Sequence, residues 1–386
     1  MDYRGHGGPS SSNERNSAGE IPDIPGYLVR KELQAMLKEQ VSALLNTNAE
    51  RFPGAQPVSL LKQHLDLLET RDYYVCEKSD GQRYLVYAVC DSNGRPATYC
   101  IDRKNRYWFI PNLQFPTADT VHQPYPKFHH QTLFDGELVM DKKADGTRCL
   151  QMYCFDLLVC AGQSIIQRPL NKRLGYLHEW VAGPHRRLCK MNAQFAEAQP
   201  FGVVMKMMDK SYGAQKILEH DIPRLLHKND GLIYVAVDAP YELGTTETML
   251  KWKPADENSV DFKLQLQDSG NGIGSKPVFV LFVWEGGNQY RPFAEMAVTN
   301  QEWEKFQRLR ERLDGRVVEV RYDPSLDSRA PWRFMRFRDD KPNGNHVSVV
   351  DKILRSISDG VEAQEIIAHC AKVRAAWKAR EAAAGQ

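Results

Sequence analysis

The chain lacks any long apolar run. Its longest, such as VFVLFVW at 278–284, are a few residues long, far short of the roughly 20 that a membrane-spanning helix needs. It lacks an excess of either charge, with 51 Lys+Arg against 49 Asp+Glu. It is therefore no indiscriminate binder of polyanions, and any grip on nucleic acid must come from local patches. No two of its 8 cysteines form C-x-x-C, and most sit inside apolar runs (YYVCEK, VYAVCD, TYCIDR). That pattern excludes the close ligand spacing of a structural zinc site. It predicts reduced core cysteines in an intracellular protein. Neither G-x-G-x-x-G nor G-K-[ST] occurs, and the glycine cluster SGNGIGS at 269–275 reads as a surface loop. There is no internal repeat, and the N-terminus (MDYRGHGGPSSSNERNS) is too polar for a secretory leader. His369-Cys370 starts like a Cys-phosphatase loop, but Arg374 comes one residue too early and AQEIIAHCAKVRAAW reads as a helix. His129-His130 would point to opposite sides of a strand, a satisfied or surface pair rather than a metal site.

What is present is a chain of 386 residues, 42% hydrophobic and 26% charged, too long for one compact core and suited to two domains. Residues 1–25, rich in Gly, Ser, Asn and Pro, predict a disordered tail. Apolar residues at Leu33, Leu37, Val41, Leu44 and Leu45 predict a helix over 29–46. A Pro/Gly break follows at 47–57, then a short helix at 58–69. From 73 the period changes to that of strands: YYVCEK, RYLVYAVCD and RPATYCID, with Asn93-Gly94 as a type I′ hairpin pair, then TLFDGELVM and RCLQMYCFDLLV. Helices are expected at 169–181 and 211–227, and strands at 231–237 and 248–253. This first unit, 26–255, reads as α+β with a mainly antiparallel sheet.

After Pro254 the texture changes. Strands are expected at 259–267, 277–284, 290–298, 316–322 and 332–338, interrupted by one helix. That helix opens on the capping box Thr299-Asn300-Gln301-Glu302, and Trp303, Phe306, Leu309 and Leu313 form its apolar stripe. Five short strands with one helix predict an OB-fold β-barrel over 256–345. C-terminal helices complete the chain over 346–386.

The segment Glu77-Lys78-Ser79-Asp80-Gly81-Gln82-Arg83 contains K-x-D-G, which alone arises by chance in roughly one chain of this size in ten and reads as a turn after a strand. Five further segments accompany it: Asp135-Gly136-Glu137-Leu138-Val139, Tyr153-Cys154-Phe155-Asp156-Leu157-Leu158, Asp230-Gly231-Leu232-Ile233, Leu250-Lys251-Trp252-Lys253-Pro254 and Arg336-Phe337-Arg338-Asp339-Asp340-Lys341. Their order and spacing resemble the motifs of the covalent nucleotidyltransferases, the superfamily of ligases and mRNA capping enzymes. Within it the chain is similar to eukaryotic mRNA guanylyltransferases, especially fungal ones, on EKSDG, LKWKP, VDFKL and RDDKPNGNH. The resemblance covers about residues 60–360.

The resemblance implies a nucleotidyltransferase domain followed by an OB-fold domain. It also implies a reaction in which Lys78 attacks the α-phosphorus of GTP, pyrophosphate leaves, and the lysine-bound GMP passes to a 5′-diphosphate RNA end. It makes Arg83 the binder of the nucleotide sugar and Arg103 a contact to the triphosphate. Glu137 holds the ribose hydroxyls or serves the metal, and Phe155 stacks on guanine. Lys206 is a nucleotide contact, with Lys210 as competitor, and Asp261 is an acid just past the linker. Arg338, Asp340 and Lys341 orient the departing pyrophosphate. Asp230 is the best carboxylate for Mg²⁺ or Mn²⁺, hard ions that prefer oxygen donors. The chemistry agrees: an ammonium is no nucleophile until it sheds its proton, and Lys251 and Lys253, alternating to one side of their strand, would favour that loss beside Lys78 and neutralise an α-phosphate. The bland readings are a solvated strand face for Lys251 and Lys253, a core position for Phe155, a strand-edge carboxylate for Asp261 and a charged hairpin end for Arg338–Lys341.

A polynucleotide ligase using ATP shares the lysine chemistry but needs a broad basic clamp, which the charge balance disfavours. A catalytically inactive OB-type nucleic-acid binder would not need Lys78, Lys251, Lys253, Asp340 and Lys341 intact. The family resemblance further implies a separate RNA 5′-triphosphatase, the phosphorylated C-terminal domain of RNA polymerase II as partner, and a place in the nucleus.

Overall fold

The computed structural model describes residues 23–48, 50–254, 258–270, 275–309, 311–323 and 325–384. Most of the expected N-terminal tail and the heart of the glycine cluster, 271–274, lie outside the described residues. The chain forms two compact units. One holds the described residues up to Val58, Leu65–Lys251 and the chain from Ile366 on; the other holds Ser59–His64 and Trp252–Glu365. The C-terminal helices expected as one segment over 346–386 are thus divided between them. Val347–Ser358 belongs to the second unit, and most of Ala363–Ala384 to the first.

The first unit contains two sheets. The larger runs, in spatial order, Tyr27–Leu28, Tyr107–Phe109, Pro96–Ile101, Gln82–Cys90, Thr132–Lys142, Arg148–Cys160 and Gly202–Met205. Its pairings are antiparallel except that of Gly202–Met205, which lies parallel to Arg148–Cys160. The strand Gln82–Cys90 explains why RYLVYAVC is nearly all apolar. Alternate residues face opposite sides, so Leu85, Tyr87 and Val89 enter one core while Tyr84, Val86 and Ala88 enter another. The second sheet is ordered Asp209–Lys210, Tyr73–Ser79, Asn229–Ala236, Gly244–Trp252 and Ala55–Ser59.

Ala55–Ser59 was expected to be part of a break. It is an edge strand, a place where a sheet tolerates a proline such as Pro57. The helix expected at 58–69 shrinks accordingly to a 3₁₀ turn, Lys62–His64, and Leu65–Thr70. The expected 169–181 helix continues to Met191 past Gly183-Pro184, with widened turns over Leu177–Ala182. Pro184 cannot donate to the carbonyl of Trp180, four residues back. That carbonyl is bonded instead to His129 Nε2 at 2.7 Å, while His129 Nδ1 lies 3.0 Å from Thr132 Oγ1. His129 is a satisfied core histidine, and His130 Nδ1 accepts from the backbone N–H of Cys90. The expected 211–227 helix is a series of short turns ending at Arg224.

The Asn93-Gly94 hairpin forms, but not as a type I′ turn. Only Gly94 has a positive φ, and the turn closes from the Gly94 N–H to Asp91 O at 3.0 Å. Asp91 Oδ1 accepts from the N–H groups of Asn93 and Arg95, fixing this alternative geometry. Cys370 is buried in its helix, donates to Ile366 O, and burial pushes its thiol pKa up. That environment opposes a nucleophilic role.

The second unit is a closed five-stranded barrel in the order Ser259–Gln267, Val278–Gly286, Gln289–Ala297, Trp332–Phe337, Val317–Tyr322. The helix Asn300–Arg308 sits between the third and fourth strands in sequence, and its capping box is intact: Thr299 Oγ1 accepts from the Glu302 N–H and Glu302 Oε2 from the Thr299 N–H. Its apolar stripe is shorter than expected. Leu309 is exposed at the cap, and Leu313 reaches the core from beyond the helix.

Candidate active site

In the first unit the strand Tyr73–Ser79 delivers Lys78 at its open end. The Lys78 ammonium donates to Asp230 Oδ1 at 2.5 Å, with both side chains mostly buried. Asp230 is the second residue of the neighbouring strand Asn229–Ala236, whose Asn229 side chain donates to Lys78 O at 2.9 Å. The turn after Lys78 needs a glycine. A Cβ on Gly81 would lie 2.5 Å from Leu138 O. Its N–H donates to Glu137 Oε1 at 3.2 Å, so Glu137 faces the same turn. Crowding by the surrounding protein raises the Glu137 pKa, opposed by the nearby cations Lys206, Lys78, Arg103 and Arg83. Arg103 itself is exposed, in the Asp102–Arg106 turn that the Asp102 carboxylate organises.

Arg83 is buried. Nε and Nη2 pair with Asp135 at 2.9 and 2.6 Å, Nη1 donates to Ala55 O at 2.5 Å, and Nη2 reaches the Tyr241 hydroxyl at 3.3 Å. Its guanidinium lies 5.8 Å from the Phe52 ring centre and 5.6 Å from that of Phe155. Phe155 is only partly buried.

The structure separates the two lysine candidates. Lys206 is buried beside the Lys78 strand, paired with Glu77 at 2.5 Å and donating to Ser79 Oγ at 2.5 Å. Lys210 pairs with Glu381 of the C-terminal helix and lies over Trp377. Lys251 closes the first unit and Lys253 belongs to the second. Between them Trp252 is buried, its indole N–H bonded to Val361 O at 2.6 Å, and both lysines are partly exposed.

In the second unit the RFRDDK segment folds into a turn around one buried carboxylate. Arg338 pairs with Asp340 through Nε at 2.9 Å and Nη2 at 2.8 Å, and its Nη1 contacts both oxygens of Asp261 at 3.3 Å. Lys341 also donates to Asp261. The hydrogen bond from Arg338 holds the Asp340 carboxyl at about 2. Trp332, Phe334 and Phe337 anchor the strand, with Phe334 and Phe337 packed on Phe306. The segment 343–346 lies against the first barrel strand. Asn345 N–H donates to Asp261 O at 2.6 Å, and Asn345 Oδ1 accepts from the Asp261 N–H at 2.8 Å. A Cβ on Gly344 would lie 2.7 Å from Asp261 O and 3.0 Å from Phe262 Cα. Gly344→Ala must therefore push this segment off the strand. The expected loss is about 1–3 kcal/mol of stability, read in a denaturant melt.

The residues brought together in the first unit are Lys78, Asp230, Glu137 and Lys206; in the second, Asp261, Arg338, Asp340 and Lys341. Sequence reasoning missed Glu77, Asp141 and His227, which form a network reaching Lys206, and Asp135 and Tyr241, which hold Arg83. Glu77 stood inside the quoted EKSDG segment and His227 three residues before Asp230, but neither position signals its partner.

An α+β lobe with a mostly buried lysine–carboxylate pair, followed by a β-barrel that carries a charged turn, defines a nucleotidyltransferase-type architecture. Residues 20–255 match the family of the mRNA capping enzyme catalytic domain and residues 257–367 that of the mRNA capping enzyme C-terminal domain. The mRNA-capping enzyme subunit alpha of Neurospora crassa is 38% identical over 391 residues, covering 94% of this chain and 95% of that protein. The subunit alpha proteins of Schizosaccharomyces pombe and Saccharomyces cerevisiae are 38% and 34% identical, each over 94% of this chain and over 90% and 88% of their own lengths. The chain belongs to the mRNA capping enzyme family.

Proposed function

We propose that this chain is an mRNA guanylyltransferase. The observation that carries the reading is Lys78 at the end of its strand against Asp230, within a chain whose residues 20–255 and 257–367 match the two capping-enzyme domains. In the first step Lys78 Nζ, having lost a proton to solvent, bonds to the α-phosphorus of GTP. The α–β phosphoanhydride bond breaks and pyrophosphate leaves. In the second, a terminal phosphate oxygen of a 5′-diphosphate RNA end attacks the same phosphorus. The P–N bond breaks, and Lys78 regains a proton as GpppN forms.

The 2.5 Å contact with Asp230 holds the Lys78 side chain at the end of its strand. Asp230 and Glu137 offer hard oxygen donors around Lys78, a set that fits Mg²⁺ or Mn²⁺. Such an ion would supply charge neutralisation on the triphosphate. Lys206, Arg103, Lys251 and Lys253 serve the nucleotide, Phe155 the base and Arg83 its sugar. Arg338, Asp340 and Lys341, seated on Asp261, serve the leaving pyrophosphate.

The relatives' designation as alpha subunits supports a second subunit, which in this reading is a separate RNA 5′-triphosphatase. The phosphorylated C-terminal domain of RNA polymerase II as recruiting partner and the nucleus as location go with mRNA capping. No helix among the described residues is long and apolar enough to cross a membrane. Incubation with α-labelled GTP and, separately, ATP tests the reaction. A covalent, acid-labile label from GTP is expected; labelling from ATP instead would make the chain a ligase.

A further inference from the structure

Behind Lys78, four charged side chains from both sheets of the first unit meet. His227 is enclosed, its side chain 2% exposed. Its Nδ1 lies 2.8 Å from Asp141 Oδ1 and its Nε2 3.3 Å from Glu77 Oε1, with Ser79 Oγ also 3.3 Å from Nε2. Glu77 in turn pairs with Lys206, which donates to Ser79. Glu77 and Ser79 flank Lys78 and share the strand face opposite to it. The backbone around His227 ties the same elements: Leu226 O accepts from Lys142 N–H at 2.7 Å, and Lys228 O from Asp80 N–H at 2.9 Å.

We infer that His227 is a positioning residue for nucleotidyl transfer. As an imidazolium clamped between Asp141 and Glu77, it locks Glu77, Ser79 and Lys206 and so fixes where the strand presents the Lys78 amine. Both ring nitrogens face carboxylate oxygens, and both can donate only in the protonated ring. The balance agrees: two carboxylates, Lys206 and an imidazolium sum to zero, whereas neutral His227 leaves an uncompensated negative charge buried beside the site for a triphosphate.

The other groups around the ring are the Tyr153 ring, centred 5.0 Å away, and its hydroxyl, 3.2 Å from Asp141 Oδ2. Burial lowers the His227 pKa, but the bonds to Glu77 and Asp141 outweigh it and raise it above 6.5. The clamp's contribution is therefore complete below pH 6.5 and fades as pH rises through the raised value.

The inference rests on Lys78 as nucleophile. The test is single-turnover labelling with α-labelled GTP, normalised to folded protein by circular dichroism, for wild type, His227→Gln, Asp141→Asn and Lys78→Ala over a range of pH. His227→Gln is expected to slow labelling about 10- to 100-fold, the scale of a misplacement near 1 Å, with little change in the GTP concentration for half-maximal rate. The ratio of wild-type to variant rate should be constant below pH 6.5 and shrink above it. Asp141→Asn, which leaves Glu77 and His227 in place, should move the rate the same way by less, and it carries the test if His227→Gln does not fold. A dead Lys78→Ala with both other variants at the wild-type rate per folded molecule, or a pH-independent ratio, would overturn the role of His227. A Lys78→Ala enzyme that still labels would instead remove the reading beneath it.

Discussion

Lys78→Ala is expected to abolish covalent labelling by GTP, a loss on the order of 10⁶-fold, the scale seen when a nucleophile acting within a catalytic unit is removed. Lys206 is sequestered by Glu77 and Ser79, and Lys210 lies under the C-terminal helix, paired with Glu381. Lys78→Arg separates chemistry from folding. A guanidinium can keep the pairing with Asp230 but does not lose its proton, so this variant should melt like the wild type and still fail to label. Retention of even a hundredth of the wild-type rate in either variant would mean that the reaction does not pass through this side chain.

The second large effect is on stability. Asp135→Ala should cost about 3–5 kcal/mol, because Asp135 is fully buried and its loss strands the Arg83 guanidinium and the Tyr241 hydroxyl in the core. A shift in the denaturant midpoint at unchanged slope measures it, and a loss under about 1 kcal/mol would show that water or a rearranged partner satisfies Arg83. The double replacement Arg83→Met with Asp135→Leu distinguishes support from substrate contact. An apolar pair of similar size should recover much of the stability. If Arg83 also holds the nucleotide sugar, the recovered protein should remain weak for GTP.

The barrel strands were legible because each is a short alternating run bounded by turn residues. Ser259–Gln267 matches its expected bounds and the others fall within two residues. The helix through Pro184 was not legible. Proline marks a stop from sequence, yet the carbonyl it frees is taken up by His129, 51 positions away along the chain. Ala55–Ser59 was missed for a similar reason, since AQPVS becomes a strand only because an edge is available to it. The site divides the same way. Lys78, Asp230, Lys251, Arg338 and Lys341 lie in short contiguous segments that announce themselves together. The residues that orient them do not. His227 meets Asp141 across 86 positions and Glu77 across 150, and no local pattern encodes such a pairing. Arg83 illustrates the limit from the other side: its place in the motif was readable, its burial against Asp135, Ala55 and Tyr241 was not.

The most direct test of the covalent mechanism is to digest the protein after brief incubation with GTP and a divalent cation, under conditions that preserve phosphoramidates, and to locate the modification by tandem mass spectrometry. A single GMP adduct on the peptide containing Lys78, absent when ATP replaces GTP, is the predicted result. An adduct on Lys206, Lys251 or Lys253, or an AMP adduct formed from ATP, would contradict it.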